Sequence, residues 1–134
     1  MGRKVFVNLP VYDINRTRTF FSALGFSFDP KFSNEVALCM PIGDDGFAML
    51  LKREFFSTFT PLAVADAHKA TEVLTAMSCD DRGEVDALME KALAAGASEP
   101  RPAQDHGFMY GRAFADPDGH IWELFWMNPE AMNG

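Results

Sequence analysis

At 134 residues, with 48% hydrophobic and 23% charged side chains, the chain has the length and composition of one globular domain able to bury a core. Its net charge of −7 argues against nucleic acid and anionic membrane surfaces as partners. No apolar run approaches a membrane span, and the first residues lack the apolar stretch of a signal peptide. Cys39 and Cys79 are the two cysteines, each in a strand-like run. The expected setting is therefore reduced and cytoplasmic. Thirteen Phe and eight Met call for a roomy interior, an interface, or both.

The first element is a strand over Val5 to Val11, with Val5, Val7, Leu9 and Val11 on one face and Phe6, Asn8 and Pro10 on the other. Asp13 suits a helix N-cap, and Ile14, Thr17, Phe20, Phe21 and Leu24 follow at helical spacing until Gly25 stops the run. Three short strands are expected next, at Phe26 to Asp29, Val36 to Met40 and Phe47 to Leu51. The turn Gly43-Asp44-Asp45-Gly46 separates the last two. Arg53 to Lys69 has little periodicity. Its Phe55, Phe56 and Phe59 mark it as a packed linker rather than a disordered one.

Beyond the linker the order repeats. Val73 to Cys79 reads as a strand, and Asp81 with Glu84 opens a helix in the manner of a capping box. Val85, Leu88, Met89, Ala92 and Leu93 carry that helix to Gly96. Strands are expected near Ala97 to Glu99, Phe108 to Ala115 and His120 to Met127. Leu24-Gly25-Phe26 corresponds to Ala95-Gly96-Ala97, which makes the chain a diverged duplication: module one over 4–52, linker 53–70, module two over 71–128. Each module has one helix for its sheet, so the other sheet face needs a cover.

The last two strands form a hairpin. Pro117 suits the second position of a type I turn and Gly119 the residue after it. Asp116 then pairs with His120, Ala113 with Glu123, and Gly111 with Phe125. Ile121, Glu123, Phe125 and Met127 share one face; Trp122, Leu124 and Trp126 share the other. Glu123 is thus a carboxylate among apolar neighbours, in need of a partner, a metal or a proton. The same register sends Arg112 to the opposite face, against Leu124, so no cationic side chain is expected beside Glu123. His120 is expected to be exposed.

Three motifs together carry a resemblance: Leu9-x-Val11-x-Asp13-Ile14, then Phe20-Phe21-x-x-Leu24-Gly25-Phe26, then Asp116-Pro117-Asp118-Gly119-His120-x-x-Glu123. In these the chain resembles the vicinal oxygen chelate superfamily, which includes glyoxalases, extradiol dioxygenases, and fosfomycin- and bleomycin-resistance proteins. The resemblance implies an α+β fold of two βαβββ modules, their mixed β-sheet curved into a cup within a single domain over 1–134. It also implies a small-molecule site inside that cup. The family's metal enzymes take ligands from the first and last strand of each module. Those positions fall here on Phe6, near Met49, on Leu74 and on Glu123. Glu123 alone retains a ligand, too few for a hard divalent cation, so no metal cofactor is expected.

The expected function is a glyoxalase-like protein that binds a small molecule without the usual divalent metal. The alternatives are a metal-dependent lyase or dioxygenase, or a drug-binding protein of the bleomycin-resistance type. The sequence leaves open whether the protein is an enzyme. If it is, Glu123 is the expected general base, and His106, from the Pro-rich loop Glu99 to Gly107, the second proton-transfer group. Phe6, Asn8, Met49, Leu74, Gly111, Ala113 and Phe125 are the expected ligand-binding residues. A structural role for Glu123, bonded to the backbone or to an arginine, has equal standing. A homodimer is expected, with Phe55, Phe56 and Phe59 at its interface or at the cup rim.

Overall fold

A computed structural model describes residues 2–132. The chain divides into two compact units, Met1–Asp66 and Ala67–Gly134.

In the first unit, β1 (Val5–Val11), α1 (Ile14–Ala23), β2 (Ala37–Ile42) and β3 (Gly46–Lys52) build a three-stranded sheet of order β1-β3-β2. β1 runs parallel to β3, and β2 antiparallel to it. The Asp13 carboxylate starts α1 by accepting from the amides of Asn15 and Arg16 at 2.9 and 3.1 Å, which satisfies two otherwise orphaned donors. Register puts Leu9, Leu50 and Leu38 side by side. These three, with Phe20, Phe21 and Leu24 from the helical stretch, are all buried. The opposite face carries Phe6 beside Phe47, their rings stacked at 4.7 Å, and Asn8 beside Met49.

The strand expected at Phe26 to Asp29 does not form. Asp29 caps a 3-10 turn over Pro30–Phe32 through the Lys31 amide. Asp29 N bonds to Cys39 O of β2. The expected linker contains a short helix, α2 (Arg53–Phe56), and a 3-10 turn over Ser57–Phe59. Its later part folds back: the Arg53 guanidinium lies over the Tyr12 ring and donates to the carbonyls of Val64 and Ala65.

The second unit holds β4 (Leu74–Ser78), α3 (Arg82–Ala94), β5 (Gln104–Asp105), β6 (Met109–Ala115), β7 (Ile121–Met127) and a short closing helix, α4 (Pro129–Met132). Its sheet has the order β4-β7-β6-β5, with β4 parallel to β7 and the other pairs antiparallel. The Asp81 carboxylate accepts from the Glu84 amide at 2.7 Å, and Glu84 reaches back to the Asp80 amide at 2.9 Å. The capping box thus closes one residue earlier than its usual form.

The strand expected at Ala97 to Glu99 shrinks to one bridge, Ser98 to Ala115. The short β5 takes the edge of the sheet instead. Both helices end alike: Phe26 N bonds to Phe21 O and Ala97 N to Ala92 O, each at 3.0 Å. Among the described residues, no helix is long and apolar enough to cross a membrane.

Candidate ligand-binding site

The hairpin of β6 and β7 positions the site, and its register is the one the turn chemistry dictates. Asp116 N donates to His120 O and Gly119 N to Asp116 O, both at 2.9 Å. Ala113 pairs with Glu123 and Gly111 with Phe125. The Asp116 side chain holds the turn from within. One oxygen accepts from the amides of Asp118 and His120, the other from the Trp122 indole at 2.9 Å. Burial pushes its carboxyl pKa up. Asp116, Asp118 and His120 are all buried, so the expectation of an exposed His120 is corrected. Gly119 is required by proximity: a Cβ there would lie 2.7 Å from His68 N and 2.8 Å from Ala67 C.

β7 sends its two faces to different surroundings. Trp122 and Leu124 are buried on the side where α3 lies against β6 and β7. Glu123 occupies the other face, flanked by Ala76 of β4 and Ala113 of β6. Small neighbours on both sides leave space above the carboxylate. That space is a pocket of about 280 Å³ lined by Arg101, Gln104, Met109, Gly111, Glu123, Leu124, Phe125 and Met127.

Glu123 has a cationic partner, which corrects the sequence expectation. The Arg101 guanidinium lies 2.7 Å from its carboxylate, with 30% and 25% of the two side chains exposed. Arg101 reaches the site from the loop between α3 and β5, where Pro100 and Pro102 flank it. Its Nε is buried and has no hydrogen-bond partner. An ion pair this open to water contributes at most about 1 kcal/mol to stability.

Arg112 belongs to the opposite face, as the register required. Arg112, paired with Leu124, donates to Glu99 through two nitrogens at 3.0 and 2.9 Å and to Asp86 of α3 at 2.9 Å. The Tyr110 hydroxyl donates to the same Asp86 oxygen at 2.6 Å. Both carboxyls are held below their usual range, Asp86 by the Tyr110 hydroxyl first and Arg112 second, Glu99 by Arg112.

Of the residues expected from sequence, Glu123, Gly111 and Phe125 line the pocket, and Ala113 adjoins Glu123. Leu74 lies on the same sheet face, beside Ile121 and 49% exposed, outside the pocket lining. His106 is also outside that lining; it sits exposed in the turn between β5 and β6, its ring 6.3 Å from that of Phe108. Phe6, Asn8 and Met49 share one face of the first unit's sheet. Arg101, Gln104, Met109 and Met127 were missed. The one available signal was an arginine fixed between two prolines at the start of the loop.

The fit to a divalent cation rests on the donor set. Phe6 and Leu74 have no donor atom, Met49 has only a thioether, and Glu123 is already ion-paired. Among the described residues, no three His, Cys, Asp or Glu side chains come together where a metal ion would bind. Within neither unit do these residues supply the donors of an octahedral or facial-triad site.

Each unit pairs its first strand in parallel with its last, with a helix and an antiparallel strand between them in the chain. The sequence profile of the Glyoxalase/Bleomycin resistance protein/Dioxygenase superfamily matches residues 5–124, and the chain belongs to that superfamily. No curated protein matches it. Among solved structures, it is similar to a hypothetical protein from S. aureus at 24% identity, with a TM-score of 0.78 and coverage of 94% of this chain and 95% of that one. A glyoxalase-related enzyme from Fulvimarina pelagi is 23% identical, with a TM-score of 0.79 over 94% and 88%. An antibiotic binding protein from Streptomyces is 20% identical, with a TM-score of 0.66 over 95% and 97%. Likeness at these identities establishes the fold.

Proposed function

We propose that this protein binds a small molecule in the pocket around Glu123, without the divalent ion of the superfamily's metal enzymes, and acts as a homodimer in the cytoplasm. The observation that carries this reading is the Arg101–Glu123 pair, a polar centre in a pocket otherwise dominated by Met109, Phe125 and Met127. A few placed polar groups in a mainly apolar concavity are what ligand sites share. A binding role fits better than turnover. A general base needs a carboxylate free to take a proton, and this one is engaged by a guanidinium. His106, the other candidate for proton transfer, is outside the pocket lining. The acidic charge and the antibiotic-binding relative on the same fold favour a drug-sequestering role over a metal-dependent lyase or dioxygenase.

The test is elemental analysis with native mass spectrometry on protein purified without chelator. The expected result is no stoichiometric Ni, Zn, Mn or Fe, and small-molecule adducts that Glu123→Gln loses. A stoichiometric metal that Glu123→Gln releases would contradict the reading and restore the metal-dependent alternative.

A further inference from the structure

The two halves of the Arg101–Glu123 pair are not equally fixed. Glu123 sits in the middle of β7, bonded on one side to β4 and on the other to β6. Ala76 and Ala113 flank it, so its carboxylate stays at the floor of the pocket. Arg101 comes from an irregular loop whose near end is anchored two residues earlier, where Glu99 meets Arg112. Its guanidinium is held to Glu123, and its Nε is a buried donor without an acceptor, a group that gains by returning to water. The carboxylate is built into the sheet; the cation is laid over it.

Resting on the pocket reading above, we propose that Arg101 is a displaceable internal counter-ion, and that the pocket takes a small ligand with a cationic amidinium, guanidinium or amine head on an apolar body. The ligand's cation replaces Arg101 at Glu123, and its body packs against Met109, Phe125 and Met127. Arg101 swings out with its loop, its charge returning to solvent. An anionic ligand meets the opposite situation. It would have to draw Arg101 away while leaving the partly buried Glu123 carboxylate next to the ligand's own negative charge, which is the costlier arrangement. The net charge of −7 favours the approach of the cation.

The test uses three probes of the same shape and different charge, benzamidinium, benzamide and benzoate. Each is titrated into the full chain and followed by calorimetry and by the methyl resonances of Met109 and Met127. Benzamidinium is expected to bind and shift both methyls, while benzamide and benzoate do so far more weakly. If the closed pair holds all but about a tenth of the molecules, Arg101→Ala and Arg101→Gln should each tighten benzamidinium binding about tenfold. Glu123→Gln should weaken it by about tenfold or more, through loss of the charge-assisted bond.

Benzamide or benzoate binding as well as benzamidinium would overturn the proposal. So would Arg101 variants that leave amidinium affinity unchanged or weaken it. In those cases shifts at Met109 and Met127 would still support the pocket as a binding site. Unmoved methyls with all three probes would remove the pocket reading as well.

Discussion

Asp116 and Glu123 are carboxylates on one hairpin, and their surroundings give them different roles. Asp116 is buried and accepts from three donors; Glu123 lines a pocket and is ion-paired with Arg101. Asp116→Ala would remove the acceptor that all three share. At about 1–3 kcal/mol for an unsatisfied buried group, we expect a loss of about 2–4 kcal/mol in chemical denaturation. Glu123→Gln gives up only a partly exposed ion pair and should stay within about 1 kcal/mol of the parent. Equal losses for the two variants would return Glu123 to a structural role. The position of Glu123 was legible because turn chemistry sets hairpin register, and register sets faces. Its partner was not legible. Arg101 arrives from a loop that has no period, so neither spacing nor alternation points from one residue to the other.

At the scale of elements, Arg112 ties α3 to the sheet and to the loop that carries Arg101. Asp86 and Glu99 both sit below their usual carboxyl range in the folded protein. The stabilisation they give is therefore complete at neutral pH. It is lost as pH falls through the ordinary carboxylate range, roughly pH 4–5, and below. Arg112→Met should cost about 1–2 kcal/mol at neutral pH, a figure discounted because half of the Asp86 side chain is exposed. It should also flatten the fall of the melting temperature on the acid side. An unchanged acid limb would show that these pairs do not couple folding to pH. Both helices and the strands β1, β3, β4, β6 and β7 were legible from caps, stops and alternation. The strands near Phe26 and Ala97 were over-read, because short apolar runs after a helix stop look extended whether or not they find a ladder partner. At Phe26, the Asp29 cap and Pro30 turned the chain first.

At the scale of the whole molecule, the proposed dimer is tested at the exposed aromatic residues. Phe59 is 65% and Phe55 36% exposed, their rings 5.1 Å apart, and Leu62 is 76% exposed. Each Phe side chain gives on the order of 1.5–3 kcal/mol when fully buried, which favours pairing through this segment. Sedimentation of the parent should show a dimer at micromolar concentration, and Phe59→Ser should shift it toward monomer. A monomeric parent under those conditions would contradict the assembly. The proposal narrower than assembly is that a ligand binds in the pocket around Glu123. Methyl NMR of the methionines during titration with a small-fragment set tests it most directly, since Met109 and Met127 line that pocket. Fragments that bind are expected to move both methyls, and Glu123→Gln to weaken that binding. Fragments that bind while leaving Met109 and Met127 unmoved would contradict the proposal.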